Sequence, residues 1–66
     1  MIMNPVISSS IAAIGFENGT MYIQFKHGKL YVYAGIPKSL YKAFISSGSP
    51  GSFYNNHIRG RYTRIN

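Results

Sequence analysis

The residues able to do acid–base or nucleophilic chemistry are few. Glu17 is the single acidic residue, and the chain has no Asp and no Cys. Paired-carboxylate catalysis needs one group as acid and another as base, so it is excluded. A Ser–His–Asp triad lacks its orienting acid. Thiolate catalysis and thiolate zinc sites lack their ligand. Magnesium-dependent phosphoryl transfer lacks its carboxylates. His27 and His57 stand thirty residues apart, which is no metal-binding spacing. The expectation is a protein that is not an enzyme, with no cofactor and no metal. A lone-His or Lys enzyme is the catalytic alternative the composition leaves, for instance a small phosphodiesterase using His57.

What remains is binding chemistry. Seven Lys and Arg residues oppose the one acid, giving a formal charge of +6, and six tyrosines accompany them. Cations attract phosphates, and tyrosine rings stack on bases. His57, Arg59, Arg61 and Arg64 lie close together near the end of the chain, with Asn55 and Asn56 beside them. Arginine suits bidentate phosphate recognition. Arg59 is the leading anion contact of this cluster, and Arg64 follows it.

These side chains need elements to position them. A chain of 66 residues makes one domain. No apolar run approaches the ~20 residues of a membrane span, and Met1-Ile2-Met3-Asn4-Pro5 carries no positive charge ahead of an apolar stretch. A soluble cytoplasmic protein is expected.

From Ser10 to Gly35 the sequence alternates as strands do. Asn18-Gly19 is the strongest short hairpin signal, suited to a type I′ turn. It sets Glu17 against Thr20, Phe16 against Met21, Ile14 against Ile23 and Ala12 against Phe25. If His27-Gly28 is a two-residue loop, Phe25 faces Leu30, Ile23 faces Val32 and Met21 faces Ala34. All these apolar residues then share one face. The spacing predicts a three-stranded antiparallel meander over Ser10–Phe16, Thr20–Lys26 and Lys29–Ala34. Its expected core face is Ala12, Ile14, Phe16, Met21, Ile23, Phe25, Leu30, Val32 and Ala34.

A helix must cover that face. Leu40, Tyr41, Phe44 and Ile45 form an amphipathic stripe. Pro37 stands near the helix start, where its missing N–H costs nothing. Gly48 is the expected left-handed residue after the helix. Ser49 as N-cap and Pro50 as first helical residue predict a short second helix to about Ile58, with Phe53, Tyr54 and Ile58 inward. Gly60 ends it. Arg61 to Asn66 either adds an edge strand or frays. The fold class is α+β: a meander, one amphipathic helix, a short second helix and a basic C-terminal segment.

The opposite sheet face would carry Ile11, Ala13, Gly15, Tyr22, Gln24, Lys26, Lys29, Tyr31 and Tyr33. Gly15 beside Tyr22 leaves room for a ring above the sheet. This reads as a stacking platform with lysines at its rim. The bland alternatives are burial by the C-terminal segment and an interface between copies of the chain. The candidate binding residues are Tyr22, Lys26, Lys29, Tyr31, Tyr33, Asn56, His57, Arg59 and Arg61. His27 reads most simply as a turn residue. The Ser8 and Ser9 hydroxyls either cap backbone or meet a phosphate, with capping the simpler role.

Several motifs come in a familiar order. Val6-x-Ser8-Ser9-x-Ile11 is followed by Ile14-Gly15-Phe16, Phe25-x-x-Gly28, Tyr31-Val32-Tyr33, Ile36-Pro37, Ser47-x-Ser49-x-Gly51 and Asn56-x-Ile58-Arg59. This ordered set resembles the KTSC domain, a family named for its place at the C-terminus of some lysyl-tRNA synthetases and also found as small free-standing bacterial and phage proteins. The resemblance runs from about Val6 to Tyr62, so residues 1–66 form one KTSC-like domain. Phe16 stands where the family often has Tyr, which removes one hydroxyl. The synthetase context implies an RNA partner. The free-standing form implies a bacterial or phage-encoded accessory protein.

Three functions compete. The first is a nucleic-acid-binding module, RNA favoured. The second is a small protein that sequesters a cyclic or modified nucleotide signal of host defence, as an oligomer. The third is an inhibitor that docks on an acidic protein partner by an exposed strand edge.

Overall fold

The computed structural model describes all residues, 1–66. Four strands form one antiparallel sheet in the order β1–β2–β3–β4: β1 Met3–Pro5, β2 Ile11–Glu17, β3 Thr20–Phe25 and β4 Leu30–Tyr33. Two helices follow, α1 Lys38–Ile45 and α2 Pro50–His57. The class is α+β, as the periodicities predict, but the sheet has a fourth strand. Met3-Asn4-Pro5 pairs with Ala13, Ile14 and Gly15. Three residues including a proline carry no strand signal of their own, so only pairing with β2 creates β1.

The first hairpin follows the sequence reading. Asn18 and Gly19 both have positive φ, 51° and 77°, as a type I′ turn needs. Glu17 faces Thr20, Phe16 faces Met21 and Ile14 faces Ile23. The register then slips: Ile11, not Ala12, faces Phe25, and Ala13 faces Gln24. Ala12 is the extra residue of a bulge. Ile11 therefore enters the core with no exposure, and Ala12 leaves it.

The second hairpin corrects the expected register by one residue. Met21 faces Tyr33, Tyr22 faces Val32, Ile23 faces Tyr31 and Gln24 faces Leu30. The loop holds three residues, Lys26 to Gly28. The Phe25 N–H donates to the Lys29 carbonyl at 2.9 Å, and the Gly28 N–H donates to the Phe25 carbonyl at 3.0 Å. Gly28 closes the turn with φ 106°. A one-residue shift exchanges the faces of a strand. Tyr31 and Tyr33 therefore point to the helix side, while Leu30 and Val32 take the outer face. Ala34 lies beyond the end of β4.

Both helices pack on the inner face. On α1, Phe44 is fully buried, with Leu40, Tyr41 and Ile45 packed against the core. The Phe16 and Tyr41 rings stack at 4.8 Å, and Asn4 Nδ2 donates to the Tyr41 hydroxyl at 2.8 Å. Helix α1 thus sits over β1 and β2. Helix α2 has Ser49 as N-cap and Pro50 in its first turn. It buries Tyr54 beside Phe25 and Tyr33, over the β3–β4 half. Phe44 and Phe53 join the helices at 5.3 Å. Gly48 does not take the left-handed conformation; α1 ends at Ser46 with φ −96°.

The last residues add to the sheet edge. Arg64 bridges Tyr33, the Ala34 N–H donates to the Thr63 carbonyl, and the Ile65 N–H donates to the Val32 carbonyl. Asn66 finishes the edge by accepting from the Val32 N–H and donating to the Leu30 carbonyl. No helix is long and apolar enough to cross a membrane.

Candidate functional site

The expected platform is not on the outer face. Of its tyrosines only Tyr22 stays there, in a row with Met3, Gly15 and Val32. The space over Gly15 is taken: a Cβ there would lie 2.6 Å from the Met3 sulfur and 3.0 Å from that of Met1. Lys26 and Lys29 are exposed in the β3–β4 connection, apart from Tyr22.

The register shift assembles a different site. Tyr31 and Tyr33 line an open cleft of about 590 Å³ between β4, α2 and the C-terminal segment. Phe25, Tyr54 and Tyr62 complete its aromatic walls; His27, Asn55, Arg59 and Arg64 supply most of its polar ones, and no acidic residue lines it. Phe25 is the hub of the wall. Its ring lies 4.9 Å from Tyr31, 5.3 Å from Tyr54 and 5.3 Å from His27.

Each polar group has a structural reason for its place. The His27 Nδ1 accepts the Lys29 N–H at 3.2 Å, so a neutral ring carries its proton on Nε2. The Arg64 guanidinium carbon lies 4.2 Å from the centre of the Tyr31 ring, a cation–π contact made possible by the Tyr33–Arg64 bridge. Arg59 follows the end of α2 and is exposed at the cleft mouth. At the floor the Tyr33 and Tyr54 hydroxyls are 2.6 Å apart. Burial, then the Tyr33 hydroxyl, raises the Tyr54 pKa well above the usual tyrosine range, while Arg59 pulls it the other way. Gly51 lets α2 approach the β1–β2 connection, since a Cβ there would sit 3.0 Å from Ser10 Oγ. Ser8 does cap backbone: its Oγ accepts from the N–H groups of Ser10 and Ile11.

Of the sequence-predicted residues, the cleft gathers Tyr31, Tyr33 and Arg59. Tyr22, Lys26, Lys29, Asn56, His57 and Arg61 lie outside it. Arg61 Nε donates to the Asn56 carbonyl at 3.1 Å, and His57 packs on Phe53 at 4.6 Å. The reading missed Phe25, Tyr54, Tyr62 and His27 as lining residues. The pattern of Tyr33 and Tyr54 each facing inward was the available signal, once the loop length was known.

The charge of the site is unneutralised. The one ion pair of the fold joins the N-terminal ammonium to Glu17 at 3.9 Å. None of the seven Lys and Arg side chains has an acidic partner.

Fold and cleft together define a small basic α+β module with a four-stranded sheet and two helices on one face. A model of the KTSC domain family matches residues 7–62, so the chain belongs to that family. The crystal structure of a KTSC domain protein from Yersinia pestis superposes with a TM-score of 0.89 at 33% identity, covering 98% of this chain and 97% of that one. A protein of Tsukamurella paurometabola is 28% identical over 65 residues, 96% of this chain and 97% of that protein.

Proposed function

We propose that this KTSC domain is a non-enzymatic nucleic-acid-binding module, with RNA the favoured partner. One observation carries the reading: a cleft walled by Phe25, Tyr31, Tyr33 and Tyr54, flanked by Arg59 and Arg64 and free of acidic side chains. Rings offer stacking surfaces to bases, and arginines offer paired donors to phosphates. A concave cleft suits an unpaired base in a loop or strand better than a duplex, and such bases are what single-stranded RNA presents. The fixed positive charge, unopposed within the fold, favours a phosphate chain at its surface.

The same cleft supports a second reading. Its volume of about 590 Å³ lies in the range of small-ligand pockets, so it suits a free nucleotide as well as a base within a strand. Docking of a protein by strand addition draws less support. The β4 edge is already paired with residues Thr63 to Asn66, and β1 is three residues long and ends in Pro5.

The test is fluorescence anisotropy of a labelled single-stranded RNA at low and near-physiological salt. The expected result is binding that weakens steeply with salt. Arg59→Ala should weaken it and flatten the logarithmic salt slope by about 0.7 per lost phosphate contact. Absence of binding at low salt would overturn the nucleic-acid reading.

A further inference from the structure

The floor of the cleft carries one hydrogen-bond donor more than the fold uses. The Tyr33 and Tyr54 hydroxyls bond to each other at 2.6 Å, and neither has another partner in the protein. Two hydroxyls hold two protons, and their mutual bond uses one. The two residues are 4% and 7% exposed, and both line the cleft. The remaining proton is available to a ligand in the cleft that both residues line.

The other end of the cleft differs. Arg59 and Arg64 are exposed at the mouth, and arginine donates hydrogen bonds but accepts none. A ligand that matches this order presents an acceptor to the floor, aromatic faces to the walls and negative charge to the mouth. The reverse placement would bury a phosphate against two phenols at a heavy desolvation cost.

The geometry points to a pocket for a single nucleotide whose keto base enters first, with its carbonyl oxygen on the Tyr33–Tyr54 pair and its phosphate on Arg59. This inference rests on the nucleotide-binding reading above and assigns its specificity. Uracil and guanine place a carbonyl where cytosine and adenine place an amino group. An amino group at the floor can only donate to a hydroxyl lone pair, which leaves the buried proton unpaired.

The experiment is calorimetric titration of the full chain with the 5′-monophosphates of uridine, guanosine, cytidine and adenosine, and with ribose 5-phosphate. Uridine and guanosine monophosphates should bind at least about tenfold more tightly than the other two nucleotides, a ratio a lost buried hydrogen bond accounts for. Ribose 5-phosphate should bind more weakly than any of them. The double variant Tyr33→Phe/Tyr54→Phe, checked for folding by circular dichroism, removes both protons and should reduce the preference to about threefold or less. Arg59→Ala should weaken all four nucleotides alike. Equal binding of the four by the unmodified chain would overturn the proposal without any variant. So would a keto preference that survives in the folded double variant. If labelled RNA still binds with a steep salt slope in those cases, the nucleic-acid reading stands and only the base assignment falls. If neither RNA nor any nucleotide binds, both fall.

Discussion

The Tyr33 hydroxyl on β4 and the Tyr54 hydroxyl on α2 lie 2.6 Å apart and tie the sheet to the second helix. Each is the other's sole hydrogen-bond partner. Replacing either tyrosine by phenylalanine should cost about 1 kcal/mol, because the surviving hydroxyl stays buried without its partner. The double replacement should cost less than the two single losses added together. Urea unfolding of the three variants measures this, and additive losses would show that the hydroxyls act independently.

The same pair makes stability depend on alkaline pH. Tyr54 is held above its ordinary pKa of 10.0, first by burial and then by the Tyr33 hydroxyl. In the unfolded chain it ionises near that ordinary value, so unfolding releases a proton at high pH. The stabilisation is whole below about pH 10 and is lost as pH rises further. Thermal melts from pH 8 to pH 11 should show the melting temperature falling more steeply for the natural chain than for Tyr54→Phe. Parallel curves would refute the assignment.

Two glycines make a matched comparison. Gly28 has φ 106°, Gly48 has no positive φ, and neither has an atom within 4 Å of an added Cβ. Space is equal, so only backbone conformation differs. Gly28→Ala should cost about 1–3 kcal/mol through strain at the turn. Gly48→Ala should be neutral or stabilise by up to about 1 kcal/mol. Chemical denaturation decides, and equal effects would contradict the turn geometry.

The C-terminal segment protects the sheet. Removing Thr63 to Asn66 would free the backbone groups of β4 and Ala34 now bonded to Thr63, Ile65 and Asn66. An unpaired edge invites pairing with another chain. A chain ending at Tyr62 should associate with rising concentration in size-exclusion chromatography, where the full chain does so less. It should also lose RNA affinity, because Arg64 leaves the face of Tyr31.

The hairpin of Asn18-Gly19 was legible because both turn residues suit positive φ and the apolar pattern agrees with that register. The helices were legible for the same kind of reason: the stripe Leu40, Tyr41, Phe44 and Ile45, and the pair Ser49-Pro50, are local signals. Two local signals misled. His27-Gly28 looks like a two-residue loop, and the β4 alternation Leu30, Val32, Ala34 is as apolar as its complement is aromatic. Either face of that strand can be buried, since tyrosine rings fill a core as well as leucine does once a hydroxyl partner exists. Tyr54 supplies that partner to Tyr33 from twenty-one residues away.

The sequence by itself determined the class of fold, the turn of the first hairpin, both helices and the charge without acidic relief, and it singled out Tyr31, Tyr33 and Arg59, which the cleft gathers. Those features rest on residue types and on spacings of a few positions. Tertiary structure alone decided the fourth strand, the bulge at Ala12, the register of β4 and therefore the face on which the tyrosines meet. Each of these compares two alternatives that are nearly equal locally. Packing of distant side chains, Phe25 against Tyr54 and Tyr33 against Tyr54, separates them, and no window of neighbouring residues contains that information.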